Sequence, residues 1–153
     1  MSVKKILSGG QTGVDRAALD VALDLGLEAS GWVPKGRRSE DGMVPDQYIV
    51  KETPSRDYEQ RTEWNVRDSD ATLILTTGSP EGGTLTTIEI AHRLEKPVFV
   101  VDLLKPQNLA SIQFWLDYEK VQTLNVAGPR ETKVPGIRNM AMAFLKDILT
   151  SPR

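Results

Sequence analysis

A strand, a glycine turn and a helix can be read from the first twenty-five residues. Lys4 to Leu7 is short and apolar, and Ser8-Gly9-Gly10-Gln11-Thr12-Gly13 is a turn. Val14, Ala17, Ala18, Val21, Ala22 and Leu25 then recur at helical spacing. This unit constrains the fold class, because a strand that feeds a helix through a tight turn buries both best within a parallel sheet. Glycines in such a turn let backbone N–H groups approach a ligand, and the following helix aims the positive end of its dipole there. The pattern is neither G-x-G-x-x-G nor a Walker loop. Two readings stay open: a phosphate site, and a turn whose glycines serve backbone angles alone.

The rest of the chain repeats the theme. Gly26 closes the first helix, and Leu27 to Val33 reads as a second strand. Pro34 to Gly42 is a polar loop carrying Lys35, Arg37 and Arg38, and Gln47 to Val50 reads as a short extended piece. Tyr58 to Asp68 is a charged helix, and Ala71 to Thr76 is the clearest buried strand. It runs into a second glycine turn, Gly78 to Thr84, before a helix with Leu85, Ile88, Ala91 and His92 on one spacing. Val98 to Val101 is a strand, Leu109 to Leu116 a helix, Val121 to Val126 a last strand and Ile137 to Leu149 a closing helix. The alternation predicts a single-domain α/β protein over residues 1–153: a Rossmann-like, doubly wound, mainly parallel sheet with helices on both faces. Right-handed crossovers then gather the glycine loops on one sheet edge, where open α/β sheets bind ligands.

Composition removes several function classes. A formal net charge of -2 supplies no basic field for nucleic acid. Zero cysteines exclude disulfides and thiolate metal ligation and suit a reducing compartment. No apolar run approaches the ~20 residues of a membrane span, and Met1 to Lys5 lacks a signal-peptide core, so a soluble cytoplasmic protein is expected. No cluster has metal-ligand spacing, so no protein-held metal is expected.

Candidate ligand contacts lie at the strand exits. Gly82-Gly83 suggests close backbone approach to a ligand, whereas Thr84, Thr86 and Thr87 are most simply helix caps. Lys35, Arg37, Arg38 and Arg130 could meet a phosphate. Asp15 reads as a first-turn acid favoured by the helix dipole; it would oppose a bound anion unless paired, with Arg16 the neighbour at hand. His92 lacks triad partners, and the tryptophans read as packing residues, with Trp32 placed to flank a flat ring.

Ser8 through Asp20 resembles the signature of the molybdenum carrier family, related to molybdenum cofactor carrier proteins. So do Gly31-Trp32-Val33-Pro34-Lys35-Gly36-Arg37, Glu40-Asp41-Gly42, Arg61-Thr62 with Asn65-Val66, Ser69 to Leu73, Gly82-Gly83-Thr84 and Val126 to Arg130. The resemblance implies a self-associating Rossmann-like protein that binds molybdenum cofactor, a pterin dithiolene monophosphate, as cargo. Gly9, Gly10, Gln11, Thr12 and Gly13 would hold the phosphate with Gly82, Gly83 and Thr84, and a molybdoenzyme or cofactor-synthesis protein would be the partner. Ser69 to Glu89 is also similar to the LONELY GUY nucleotide phosphoribohydrolases, which implies Arg61 and Glu89 as catalytic residues. Leu85 stands where that family has a third glycine, and Glu81 separates Pro80 from Gly82. The alternative functions are thus N-glycosidic hydrolysis of a nucleoside monophosphate and nucleotide sensing.

Overall fold

The computed structural model describes residues 2–150. In chain order its elements are β1 (Lys5–Leu7), α1 (Val14–Asp24), β2 (Glu28–Ser30), β3 (Trp32–Val33), β4 (Arg38–Ser39), β5 (Gly42–Met43) and β6 (Lys51–Glu52). They continue with α2 (Tyr58–Arg67), β7 (Ala71–Thr76), α3 (Gly82–Arg93), β8 (Val98–Asp102), α4 (Leu109–Tyr118), β9 (Thr123–Ala127) and α5 (Ile137–Thr150). Five strands form one parallel sheet in the order β2-β1-β9-β7-β8. The expected Rossmann-like architecture is present.

Apolar periodicity explains which surfaces meet. Every residue of β7 is buried, as a central strand covered on both faces requires. Ile6, Leu73, Leu75, Leu124 and Val126 join the inner faces of α1, α4 and α5 in the main core. A smaller cluster, Val66, Ile90 and Ala91, joins α2 to α3.

Three local expectations change. Leu27 to Val33 is not one strand, because Gly31 turns the chain between β2 and β3. Its φ is 145°, and a Cβ there would lie 2.0 Å from the Ser8 carbonyl oxygen, so the backbones pack where a side chain would stand. Beyond it, β3 leaves the main sheet and pairs with β6, while residues 47–50 form no strand, the chain turning at 46–48. The basic loop contains a two-stranded antiparallel hairpin, β4 and β5. The last strand, β9, lies inside the sheet between β1 and β7.

That insertion sets the site. Counting from β7, the chain visits the sheet as β7, β8, β9, β1, β2, so the spatial order reads 2-1-3-4-5, the flavodoxin-like order begun at a different strand. The point where the winding reverses lies between β7 and β9. In open α/β sheets the crevice outside the carboxyl ends of the strands at this point is where ligands bind.

Candidate functional site

A cavity of about 370 Å³ opens at that crevice. Ala127 at the end of β9, with Gly128 and Pro129 just past it, lines one part of it, and the start of α3 lines another. Tyr58, Glu59, Arg61 and Thr62 of α2 line a further wall. Gln11 and Asp15 reach it from the turn after β1. The volume falls in the range of small-molecule pockets. A smaller hollow of about 260 Å³ shares Glu81, Pro129 and Lys133 with it.

Three amides of the expected phosphate loop are held by side chains of the same turn and of α1. The Gly10 N–H donates to Ser8 Oγ at 3.3 Å, Gln11 N–H to Asp15 Oδ2 at 3.2 Å and Thr12 N–H to Gln11 Oε1 at 3.1 Å. Of Gly9, Gly10, Gln11, Thr12 and Gly13, Gln11 alone lines the cavity. The space over Gly9 belongs to Arg61, whose guanidinium lies 2.5 Å from where a Cβ would stand. A Cβ on Gly13 would meet the Pro129 carbonyl at 2.4 Å, and Val14 N–H donates to that same oxygen. These two glycines thus admit other parts of the protein at close range.

The start of α3 is different. Its N-cap residue, Glu81, makes no side-chain capping bond, and among the described residues none accepts from the N–H groups of Gly82, Gly83 or Thr84. Gly82 has φ 55°, and a Cβ on Gly83 would meet nothing within 4 Å. The threonines do not cap. Thr86 and Thr87 hydroxyls donate back to the carbonyls of Gly82 and Gly83, and Thr84 is buried in the cavity wall. Free amides at the positive end of a ten-plus-residue helix are suited to an anion.

Arg61 supplies charge to the same cavity. Its side chain is largely buried, and Nη1 donates to Thr62 Oγ1 at 3.0 Å. Its Nε is buried and has no acceptor among the described residues. A buried donor without an acceptor is costly, which marks the guanidinium as incompletely satisfied. Nη1 also stands 3.9 Å from Asp15 Oδ2. Asp15 is the first-turn acid expected, but it is buried, and its main electrostatic partner is Arg61 rather than Arg16. Burial pushes its carboxyl up to about 6, with Arg61 pulling the other way. Arg16 is engaged elsewhere, holding Asp41 through Nη1 and Nη2 and donating to Ser39 Oγ from Nη2 and to the Gly10 carbonyl from Nε.

Other candidates divide. Arg130 and Lys133 line the cavity; Lys133 pairs with Glu81 at 3.2 Å and Arg130 lies 3.7 Å from Glu40. Lys35 is exposed away from the lining. Arg37 donates to the carbonyls of Val44, Pro45 and Tyr48, so it holds a loop. Glu89 is exposed on α3 and does not line the cavity, nor does His92. Trp32 packs edge-on against Trp64 and donates to Asp68, so it flanks no ring in the cavity.

Sequence reading missed the latch formed by Glu40 and Asp41. Glu40 accepts from the hydroxyls of Thr12 and Thr132, and its own N–H donates to Gln11 Oε1. The Arg16 guanidinium holds the Asp41 carboxyl well below the usual range. Together they tie the β4–β5 hairpin across the turns after β1 and β9. The tight Glu40-Asp41-Gly42 run was the available signal.

Comparison with known proteins agrees with this topology. A solved structure from Syntrophus aciditrophicus SB, named "Putative molybdenum carrier protein", superposes with a TM-score of 0.91 at 42% identity, covering 98% of this chain and 96% of that one. No curated protein matches. Residues 6–149 match the circularly permutated YpsA SLOG family, and a shifted starting strand is what the sheet order displays. From a match that runs from β1 to α5, the chain belongs to the circularly permutated YpsA SLOG family.

Proposed function

We propose that this protein binds a phosphorylated small molecule in the cavity at the β7–β9 crevice and carries it unreacted, with a phosphorylated pterin of the molybdenum-cofactor class as cargo. The observation that carries the reading is the convergence of two donor sets on one cavity: the Gly82, Gly83 and Thr84 amides, which no described residue accepts from, and Arg61 with its buried, unpartnered Nε. Both favour an anion, and a helix terminus with a guanidinium is a strong combination for phosphate. Arg130 and Lys133 add positive charge, while Ala127 and Pro129 offer apolar surface to a flat ring; the Tyr58 ring is already met by the guanidinium groups of Arg38 and Arg61. The named cargo draws further support from the relative in Syntrophus aciditrophicus SB. In such a cargo the dithiolene holds the molybdenum, so the protein contributes recognition of phosphate and ring.

A carrier is favoured over a nucleotide hydrolase because Glu89, the residue a hydrolase would need at the ribosyl centre, stands outside the cavity lining. Self-association and docking to an acceptor protein belong to the same reading.

The test is to denature freshly purified protein without oxygen or phosphate and analyse what it releases by mass spectrometry and elemental analysis. A pterin with stoichiometric phosphorus and molybdenum is expected. A nucleotide in its place, or base released from added nucleoside monophosphates, would overturn the cargo assignment.

A further inference from the structure

We propose that Asp15 is a positioning residue for this site: it tethers the Arg61 guanidinium at the back of the cavity, and it takes up a proton when an anionic group replaces it as the partner of Arg61. The inference rests on the anion-binding reading of the cavity.

The geometry is that of a loose tether. Asp15 Oδ2 accepts the Gln11 N–H and stands 3.9 Å from Arg61 Nη1, beyond hydrogen-bond distance. Its side chain is 3% exposed and that of Arg61 13% exposed, so water screens the pair poorly. The guanidinium is stacked over Gly9 and steered by Thr62, yet its Nε remains unpaired. A bidentate partner would occupy the donors a ligand needs. A carboxylate held slightly too far away orients the cation and leaves its donors available.

Other charges do not duplicate this role. On α1 itself Arg16 is bound to Asp41. Glu59 faces the cavity from α2, Glu81 from the start of α3, and Arg130 and Lys133 from the turn after β9. Glu81 is paired with Lys133 and Arg130 lies near Glu40. Arg61 is the strongest charge acting on Asp15, with Arg16 a smaller one.

An incoming dianion sets two negative groups around one buried cation. Asp15 then loses part of its counter-charge and gains a like charge, and both changes favour its protonated form. Burial already brings the free carboxyl up to about 6. Below that value Asp15 is protonated with or without ligand. Above it, Asp15 is ionised in the free protein and protonated in the complex, so binding consumes up to about one proton and affinity falls up to tenfold per pH unit. The single histidine, His92, lies outside the cavity lining.

Sulfate is the appropriate probe, since it stays dianionic throughout this range. Its binding is measured by calorimetry from pH 5.5 to 8 in buffers of differing ionisation heat, with adenosine 5′-monophosphate as a second probe. The expected result is an affinity loss of about fivefold or more between pH 6 and 7.5 with net proton uptake, and a flat profile in Asp15→Asn. A flat profile in the unaltered protein, or an unchanged slope in Asp15→Asn, would overturn the proposal while leaving the anion site intact. Absence of binding by either probe at every pH would overturn the cavity reading and this inference with it. If Asp15→Asn does not fold, the buffer-dependent heat of the unaltered protein decides: zero proton uptake refutes the role.

Discussion

Asp15 and Asp41 lie in one connected network around the turn after β1, yet they titrate in opposite directions. Asp15 has its carboxyl raised by burial, so its contribution to stability is fully present below about pH 4 and lost as pH rises through about 6. Asp41 has its carboxyl lowered by Arg16, so its contribution is present above the ordinary carboxylate range and lost as pH falls below it. Urea unfolding from pH 2 to 7 should separate them, with the Asp41 loss below about pH 4 and the Asp15 decline above it. Asp15→Asn should remove the decline above about pH 4 and leave the protein up to about 3 kcal/mol more stable at pH 7. Asp41→Asn should destabilise at pH 7 and lessen the loss on acidification. Greater instability of Asp15→Asn at pH 7 than at pH 4 would contradict the assignment. A backbone prediction belongs here too. Gly31→Ala should cost about 3 kcal/mol, because neither its φ nor the nearby Ser8 backbone can accommodate a Cβ. None of this is legible locally: an acid at the start of a helix is ordinarily solvated, and Arg61 reaches Asp15 only through the tertiary fold.

Among the elements, α1 and α3 both follow a glycine turn, but only α3 begins with amides open to the cavity. The sequence makes the two turns look alike, and the longer glycine pattern draws attention to Ser8–Gly13. The Gly10, Gln11 and Thr12 amides there are met by Ser8, Asp15 and Gln11, side chains whose direction no local spacing reveals. Gly83→Asp tests the distinction. The new Cβ meets nothing within 4 Å, and an acid in the first turn favours the helix, so the melting temperature should hold. Affinity for adenosine 5′-monophosphate should nevertheless fall more than about tenfold, through like-charge repulsion. A second prediction concerns the hairpin: Asp41→Ala should release β4 and β5 from Arg16 and raise amide exchange across residues 38–43 well above the rest of the chain. Long periodic elements such as α2, β7 and α5 were readable from spacing. The break at Gly31 was not, since a backbone from another strand imposes it.

At the scale of the molecule, the order β2-β1-β9-β7-β8 joins residues from both ends of the chain at one crevice. Fold class follows from the alternation of strands and helices, whereas the central place of β9 depends on pairings across more than a hundred residues with β1. That placement brings Ala127–Arg130 against α3 and makes the cavity. It also explains why basic residues expected at the site part company: Arg130 sits in the turn after β9, whereas Arg37 stands beyond β3 and holds residues 44–48. No helix among the described residues is long and apolar enough to cross a membrane.

We place the anion site at the start of α3, beside Arg61. A crystal structure of the complex with adenosine 5′-monophosphate locates the phosphorus atom and decides this. Phosphate oxygens are expected within hydrogen-bond distance of the Gly82–Thr84 amides and of Arg61. Phosphate seated on the Gly9–Gly13 turn, with Arg61 still stacked over Gly9 and unengaged, would contradict it.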